Sequence, residues 1–458
     1  MADIAPLRGV LYDPSKVDLA KVIAPPYDVI DAAERARLAE LDPHNCVRLI
    51  LPEAEAGAAA AAPAGDEAGD GAAGGGGPDY AAAARTLQAW LADGTLQRDP
   101  YRSVYRYHQI FRHADLGPRE ITRVGFIAAV RLHDFAERVV LPHEQTMAAP
   151  KADRLELMQA TAAHLSPIFT LYRDAGNEID RVFKKTERDA PVIDARTADG
   201  TIHRVWRTRD AEVIGKLRHL MAPKKLYIAD GHHRYETMLA YRDQLAAAGA
   251  LAQYASAQYG LMFMAPMDQH GMVVLPTHRV VHGLQGFTAD DFLTRAREQF
   301  IVEKVAGAGG DPAAVRAALA ETPQHQPAVL VAFPGEGHGW RLTLAPQVNV
   351  NELALGRAVN KLDVTVLHTL ILERLLGLTP AQQQAGEHVR YVKDTATALA
   401  QTATPGCQAV FLMNPVPVDK IKAIADAGEV MPQKTTYFYP KLASGLVVHL
   451  VERDVDLI

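Results

Sequence analysis

The sequence predicts a mixed α+β fold, in which a mixed sheet core is joined to additional α/β regions. Helical and strand patterns alternate along the 458 residues without the strict strand-helix-strand repeat of a doubly wound sheet. The composition, 48% hydrophobic and 22% charged, is ordinary for a soluble globular protein with a sizeable core. The length predicts two or three domains, and the sequence has no internal repeat of fixed period.

The first hundred residues are predicted to contain two helices separated by an insertion of biased composition. Asp31 and Glu34 form a capping-box pattern for a helix that ends near Leu41, and residues 81–92 form the second helix. Residues 53–79 contain 19 Ala or Gly among 27 residues, with six acids and no base. This composition buries too little apolar surface to offset the entropy of ordering, so we predict a flexible insertion that the chemistry does not need.

Apolar periodicity and β-branched runs predict the remaining elements. The predicted strands are residues 104–111, 121–132, 168–172, 226–229, 261–264, 272–275, 327–333, 408–413 and 446–451, of which the last three are expected to complete a sheet. The predicted helices are residues 150–164, 210–221, 235–248, 288–300, 312–321, 364–376 and 380–400.

Charge and cysteine content limit the possible partners. The net charge of −6 arises in the insertion, because the rest of the chain has 48 acidic and 48 basic residues and no Lys/Arg block. Nucleic acid is therefore not expected as a partner. The N-terminus lacks signal-peptide features and no apolar run approaches bilayer length, so no membrane association is expected. Cys46 and Cys407 suit a reducing compartment, and we predict a cytoplasmic location.

The segment of residues 230–234, Asp-Gly-His-His-Arg, concentrates more chemistry than any other pentapeptide of the chain. It follows the predicted strand 226–229 and opens a predicted helix, so it is expected to offer free backbone N–H groups and the positive end of a helix dipole to phosphate. Gly231 permits close approach of an anion, Arg234 can bind phosphoryl oxygens, and Asp230 can cap the helix or hold a magnesium ion. The alternative is a capped helix whose polar residues happen to cluster.

A second polar segment contains His143, Glu144 and Thr146 and precedes a helix that carries Lys151 and Arg154. Glu144 is a candidate general base because neighbouring groups can tune its basicity, and the two cations can hold an anion nearby. A lone loop carboxylate is equally often a solvated or capping group, so both interpretations stay open at this point.

Two further segments have a structural and a functional interpretation. Tyr27 and Asp28 follow two prolines in a rigid turn that either contacts substrate or caps a helix, and Asp28 is the second candidate base. Residues 431–441 place Lys434 and Lys441 beside aromatic residues. Packing at a strand edge explains the aromatic residues in the structural interpretation, and in the functional one the two lysines add charge at a phosphate site.

Several other chemistries are disfavoured by the motifs. The sequence has no Walker loop, no dinucleotide-binding glycine pattern in a strand-helix setting and no kinase catalytic-loop set. A zinc hydrolase is a minor alternative, because adjacent histidines such as His232 and His233 rarely chelate one ion.

As a set, these motifs resemble a bacterial family catalogued as domain of unknown function 1015, and the resemblance runs nearly end to end. The residues that carry it are 25–29, 143–146 with Lys151 and Arg154, 229–235, 275–279 and 431–441. The 230–234 turn is also similar to that of free serine kinases of the ParB/sulfiredoxin superfamily, which phosphorylate serine to O-phosphoserine. Sulfiredoxin-type sulfur chemistry is disfavoured, because His232 stands where that turn has its cysteine.

The resemblance, together with the biased composition of residues 53–79, predicts a division of the chain into four parts. These are an N-terminal α/β segment of the core (1–52), the insertion (53–79), a ParB/sulfiredoxin-like catalytic core (80–285) and a C-terminal α/β domain (286–458).

The kinase resemblance implies a small-molecule kinase that phosphorylates the hydroxyl of free serine or a similar metabolite, with ATP, ADP or pyrophosphate as donor. The implied catalytic residues are Glu144 as base with Asp230, His232 and His233. The implied donor-phosphate ligands are Gly231, His232, His233, Arg234, Lys151 and Arg154, and Asp230 would also hold Mg²⁺. The implied substrate contacts are Tyr27, Asp28, His143, Thr146 and Arg279. The alternative function is a nucleotide-responsive, ParB-like binding or regulatory protein without turnover.

Overall fold

The structure is a computed structural model that describes residues 2–53, 78–144, 146, 148–322, 326–353, 356, 358–432 and 434–458. Nearly all of the predicted insertion, residues 54–77, lies outside the described residues.

A mixed sheet organises the first half of the described chain. It has nine strands, eight of which lie side by side in the order Val140–Leu141, Leu226–Asp230, Ile168–Tyr172, Tyr259–Pro266, Ile121–Arg131, Val104–Phe111, Ile202–Thr208 and Ile193–Arg196. Strand Ile4–Ala5 pairs with Ile121–Arg131 outside this order. Leu226–Asp230 runs parallel to Val140–Leu141, and Tyr259–Pro266 runs parallel to Ile168–Tyr172, whereas the other pairs are antiparallel. The predicted mixed α+β class is therefore confirmed.

Both faces of this sheet are covered, which explains the apolar runs of its strands. Strand Leu226–Asp230 is buried along its whole length. Leu226 and Ile228 pack on one face against helical residues such as Met238, while Tyr227 and Ala229 belong to the core cluster on the other face. The strand therefore ends inside the protein, with a hydrophobic core cluster on each face of the sheet beside the turn that follows it.

A second sheet organises the later part of the chain. Among the described residues it has six strands in the order Phe300–Ala306, His338–Leu344, Ala328–Ala332, Cys407–Leu412, His278–His282 and Val389–Val392. All of its pairs are antiparallel. Three short pairings complete the strand set: Val10–Tyr12 with Leu96–Arg98, Val273–Leu275 with Tyr437–Tyr439, and Ala163–His164 with His449–Leu450.

The helices pack around these sheets. The α-helices of the described chain are Leu19–Val22, Ala32–Leu41, Val47–Ile50, Tyr80–Ala92, Ala148–Thr161, Glu178–Phe183, Ala211–Met221, His232–Ala247, Ala289–Ala296, Pro312–Ala320, Asp363–Val366, Pro380–Ala385, Thr395–Ala400 and Val418–Ala427. Asp31 caps the second of these by accepting a hydrogen bond from Glu34 N, as the capping pattern predicts. Helix Ala148–Thr161 packs against helix His232–Ala247, which brings the two predicted polar segments together. None of the described helices is long and apolar enough to cross a bilayer.

The C-terminal residues return to the first half of the chain. Strand Tyr437–Tyr439 pairs with Val273–Leu275, and backbone hydrogen bonds join Val448 to Val10 and Ser444 to Ala24. We call residues 431–441 the C-terminal segment, because this stretch reaches the motif residues described below. The four-part division of the chain stays a prediction.

Three predicted elements differ from the structure. The helix predicted at 380–400 is two helices with strand Val389–Val392 between them, because Gly386 adopts a φ of 71° and ends the first helix. The helix predicted at 364–376 is α-helical only over Asp363–Val366 and continues as a π-helix over Leu367–Leu375. The strand predicted at 446–451 shortens to His449–Leu450 and pairs with Ala163–His164 instead of completing the second sheet.

Candidate active site

The 230–234 motif forms a tight turn between a strand and a helix. Strand Leu226–Asp230 ends at Asp230, and helix His232–Ala247 begins two residues later. Gly231 between them has a φ of 93°, a left-handed conformation that costs energy for a residue with a side chain. A Cβ at this position would lie 3.1 Å from Cζ of Arg234. The first backbone N–H groups of the helix have no partner within the helix itself, which makes this turn a potential anion site.

Asp230 lies between two cations. Its Oδ2 accepts a hydrogen bond of 2.7 Å from Nη2 of Arg234, and its Oδ1 accepts one from Nζ of Lys441. Burial acts to raise the pKa of Asp230, but Lys441 and Arg234 lower it below the ordinary value. Nη1 of Arg234 donates to the carbonyl of Pro167 at 2.7 Å. Asp230 is therefore ionised, and Arg234 braces the turn through both of its terminal nitrogens.

Lys441 reaches this turn from the C-terminal segment. Its Nζ lies 4.0 Å from Oδ2 of Asp28 and 5.1 Å from the ring centre of Tyr437. Burial acts to lower the pKa of Lys441, but Asp230 and Asp28 raise it above the ordinary value, so the ammonium stays charged. Oδ1 of Asp28 is buried and accepts no hydrogen bond from any described residue. One ammonium group is thus shared by two carboxylates that are distant in sequence.

Glu144 belongs to the same group of charges. It forms a parallel bridge with Met431, and its Oε1 accepts a hydrogen bond of 3.2 Å from the backbone N–H of Lys434. Burial raises the pKa of Glu144 to about 7, although the Lys434 N–H and Lys441 oppose the rise. A carboxyl group with this pKa exchanges its proton near neutral pH, as a general base must.

Two histidines of the predicted site contact each other. The rings of His143 and His232 are 4.6 Å apart and nearly perpendicular, and the backbone N–H of His143 donates to Nε2 of His232 at 3.3 Å. Nε2 of His143 lies 3.1 Å from Oγ1 of Thr436. Burial lowers the pKa of His143 to about 4 and that of His232 well below its ordinary value. Both imidazoles are therefore neutral at pH 7.

Lys151 and Thr146 meet the motif helix through Glu236. Oε2 of Glu236 accepts a hydrogen bond of 2.6 Å from Nζ of Lys151, and Oε1 accepts one of 2.7 Å from Oγ1 of Thr146. These side chains are partly exposed, as is His233 in the first turn of the same helix. Burial lowers the pKa of His233 as well. This side of the turn, formed by Gly231, His233 and Lys151, is the part that solvent reaches.

Tyr27 and Arg154 form a neighbouring pair. The guanidinium of Arg154 lies 4.4 Å from the ring centre of Tyr27, and its Nη1 donates to the carbonyl of Ile50 at 2.6 Å. Burial raises the pKa of Tyr27 to about 12, with Asp28 adding to the rise. Arg154 is itself buried, so in this structure it supports Tyr27 and the backbone at Ile50.

Arg279 lies in the second sheet and is fully buried. Its Nη2 donates to the carbonyl of Lys434 at 3.2 Å and lies 2.9 Å from Nε2 of His368. Of the predicted site residues, Arg279 therefore contacts the C-terminal segment and not the 230–234 turn.

Two residues of the first sheet hold the other end of the C-terminal segment. Arg123, fully buried, donates from Nη1 to the carbonyl of Tyr439 at 3.3 Å and from Nη2 to that of Pro440. Gln109 donates from Nε2 to the carbonyl of Lys441 at 3.0 Å and accepts from Nε of Arg123 at 3.0 Å. These bonds fix the backbone that presents Lys441 to Asp230.

Several of these residues were not predicted from the sequence. Glu236 had a usable signal, because it lies one helical turn after His232. Arg123 and Gln109 had none, since a single polar residue within a strand pattern indicates ordinary packing at least as often as a contact at a site. Thr436 lies in the identified segment 431–441, but no role was predicted for it.

Comparison with models of protein families identifies the family of this chain. The model described as a protein of unknown function, DUF1015, matches residues 4–365. The chain belongs to this family. The resemblance inferred from the motifs is thereby confirmed, and in this DUF1015 protein the C-terminal segment that supplies Lys441 lies beyond the matched residues.

Solved structures similar to this DUF1015 protein include three with low sequence identity. A mutant free serine kinase in complex with AMP is 13% identical, with a TM-score of 0.33, over 70% of this chain and 89% of that one. A conserved hypothetical protein from Pyrococcus furiosus is 14% identical, with a TM-score of 0.33, over 68% and 92%. SbnI from Staphylococcus aureus, truncated at its C-terminus, is 12% identical, with a TM-score of 0.34, over 72% and 91%. Comparison with curated proteins finds no match. At these values, the likeness carries no conclusion about activity.

Proposed function

We propose that this protein is a small-molecule kinase that transfers a phosphoryl group from a nucleotide or pyrophosphate to the hydroxyl of free serine or a similar metabolite. The observation that carries the proposal is the environment of Glu144. Its pKa of about 7 arises in a cluster that also contains the charged Lys441, the ionised Asp230 and the start of a helix. A tunable base beside a site for anionic phosphate is the minimum that phosphoryl transfer to a hydroxyl requires.

Each group has a role in this proposal. The backbone N–H groups after Gly231 and the partly exposed Lys151 bind the donor phosphates, and the neutral imidazole of His233 donates a hydrogen bond to them. The serine oxygen attacks the terminal phosphorus, and its proton passes to Glu144. The new O–P bond forms as the bond to the bridging oxygen breaks, and the shortened donor leaves with the electron pair. Positioning and charge neutralisation supply most of the rate enhancement, and a placed base contributes roughly 10²–10⁴-fold.

The carboxylates fit a magnesium ion only in part. Both oxygens of Asp230 already accept hydrogen bonds from Arg234 and Lys441, whereas the buried Oδ1 of Asp28 accepts none from the described residues. Mg²⁺ is usually held by one or two carboxylates together with substrate phosphates. We therefore propose Asp28, with Asp230 once Lys441 moves to phosphate, as the residues that would hold it. The ion would supply charge neutralisation on the donor.

The proposal also covers the acceptor, the type of core, the partner and the cellular location. The likeness of the 230–234 turn to that of free serine kinases supports serine as acceptor and a ParB/sulfiredoxin-like core. A small-molecule partner follows from that assignment, and a cytoplasmic location is proposed from the cysteine content of the sequence.

Formation of phosphoserine tests the proposal. Purified protein is incubated with serine, Mg²⁺ and ATP, ADP or pyrophosphate in turn, and products are separated by ion exchange. We expect phosphoserine with at least one donor, and loss of turnover in Glu144→Gln with donor affinity within about threefold of wild type, since only the base is removed. Glu137→Gln is the matched control, because Glu137 is half exposed and pairs with His133 away from the cluster. Wild-type rates in E144Q, or no product with any donor, would overturn the proposal.

One observation favours binding without turnover as the second candidate. Both carboxylate oxygens of Asp230 are engaged by Arg234 and Lys441 in this structure. A nucleotide-responsive binding protein would use donor phosphate to displace Lys441 and move the C-terminal segment. The same assay separates the two functions, because the second predicts saturable nucleotide binding with no product.

A further inference from the structure

Arg279 is a buried cation in an unusual setting. It is fully buried, and no described acidic side chain pairs with it. Burial lowers its pKa to about 10. By contrast Arg106, which is equally buried, pairs with Asp180 and Glu187. A buried charge without a counter-ion is costly, so Arg279 depends on its other contacts, which include the Tyr391 ring at 5.0 Å from the guanidinium and a set of hydrogen bonds.

The guanidinium is held by a chain of oriented polar groups. Nδ1 of His368 lies 2.7 Å from Oε1 of Gln383, which leaves Nε2 of His368 as an acceptor for Nη2 of Arg279 at 2.9 Å. Nε2 of Gln383 donates to the carbonyl of Leu378 at 2.8 Å, which fixes the amide in this orientation. Burial lowers the pKa of His368 to about 3, so the imidazole remains an acceptor across the physiological range.

This series of hydrogen bonds leads to Lys434, whose backbone N–H donates to Glu144. Nη2 of Arg279 donates to the Lys434 carbonyl at 3.2 Å, and the Lys434 N–H donates to Oε1 of Glu144 at 3.2 Å. Lys434 has a φ of 55°, a left-handed conformation that is unfavourable for a residue with a side chain and persists only where neighbouring groups hold it. Arg279, bound to the adjoining carbonyl, is such a group.

We propose that Arg279 is a positioning residue for Glu144: by holding the Lys434 carbonyl, it keeps the Lys434 N–H directed at the Glu144 carboxyl. This inference rests on the proposed function only in naming Glu144 as the base. The other charged groups that act on Glu144 are Lys441, Asp230 and Asp28, and none of them contacts Arg279. Loss of Arg279 therefore acts on Glu144 through one backbone hydrogen bond.

The direct test is a titration of Glu144 that needs no turnover. The carboxyl band of Glu144 is obtained by infrared difference spectroscopy between each protein and the same protein with Glu144→Gln, over pH 4 to 9. Arg279→Met keeps the volume and removes the donors. We expect the midpoint to rise by about one pH unit, because a hydrogen bond that stabilises the ionised form is lost. Where turnover is measurable, kcat falls while the donor KM stays within about threefold.

Two further variants make the result decisive. Arg279→Lys keeps the buried charge but lacks the two terminal nitrogens that bond Thr277, His368 and Lys434, so we expect a smaller rise than in Arg279→Met. If Arg279→Met does not fold, the midpoint in Arg279→Lys tests the inference. Arg106→Met removes another fully buried arginine away from the segment, and we expect no change in the Glu144 midpoint. An unchanged midpoint in folded Arg279 variants, or an equal rise in R106M, overturns the inference. Absence of turnover in wild type would sink the kinase proposal and leave this titration valid.

Discussion

At the scale of single residues, the carboxyl of Glu144 lies between a backbone N–H and the charges of Lys441, Asp230 and Asp28. The Lys434 N–H and Lys441 favour the ionised carboxylate, but burial outweighs them and raises the pKa of Glu144 to about 7 from the ordinary value of 4.5. A base acts in its ionised form, so the proton population of this one group sets the pH range of the reaction.

The first prediction concerns the pH dependence of the rate. Because the pKa of Glu144 is raised to about 7, kcat is expected to increase with pH through about 7 and to fall about tenfold per pH unit below it. Initial rates between pH 5 and 9 measure this limb. A rate that stays constant down to pH 5 would show that the base is an ordinary exposed carboxylate and would contradict the assignment.

The sequence allowed the candidate residues to be identified, but it did not predict which of them contact each other. Glu144 and the 230–234 motif were identified from local sequence, because a Gly-containing turn before a helix has a recognisable pattern. Their meeting with Lys441 depends on tertiary structure, since Lys441 lies 211 residues after Asp230. Arg279 was predicted to contact substrate, and its burial in the second sheet could not be inferred from the neighbouring residues.

At the scale of elements, the turn at Gly231 joins the buried strand to the motif helix. The next prediction is that Gly231→Ala lowers stability by about 1 kcal/mol and weakens donor binding, because φ is 93° and the new Cβ meets the Arg234 guanidinium at 3.1 Å. Chemical denaturation and calorimetric titration with ADP measure the two effects.

Gly215 supplies the matched control for this substitution. It lies inside helix Ala211–Met221, and an added Cβ would meet no described atom within 4 Å. Gly215→Ala is therefore expected to stabilise the protein by roughly 0.5–1 kcal/mol. Equal effects of the two substitutions would mean that the turn is not held in the left-handed conformation.

Element prediction succeeded where the pattern was strong and local. Residues 104–111 and 168–172 are strands with the predicted bounds, because their apolar runs fit buried strands. Strand Phe300–Ala306 was missed because it lies at the edge of the second sheet and contains Glu303 and Lys304. The prediction of one helix over residues 380–400 was wrong because Gly386 in its interior ends a helix, as glycine in the left-handed conformation commonly does.

At the scale of the whole molecule, both sheets and the C-terminal segment contribute to one site. The first sheet supplies Asp230 and holds Lys441 through Arg123 and Gln109, while the second sheet holds Lys434 through Arg279. The C-terminal segment is thus fixed at both ends. A site assembled in this way depends on the folded chain as a whole and cannot be located from a single stretch of sequence.

The last prediction concerns the Ala/Gly-rich insertion. Its ends are already adjacent, because the backbone N–H of Asp79 donates to the carbonyl of Glu53 at 2.9 Å. Replacing residues 54–77 with a Gly-Ser linker is therefore expected to leave the melting temperature within about 2 °C and kcat within about twofold, since closing a shorter loop costs little entropy. Thermal unfolding and the phosphoserine assay measure both. Loss of activity in a folded variant would assign the insertion a function.

Direct transfer to the serine hydroxyl is the central claim, and an isotope label tests it most directly. Serine that carries ¹⁸O in its hydroxyl is incubated with the protein and the active donor, and the product is observed by phosphorus NMR. We predict one phosphoserine resonance with the small upfield shift of a phosphorus bonded to ¹⁸O, and none of it in Glu144→Gln. Release of inorganic phosphate alone, with the serine unchanged, would contradict the account.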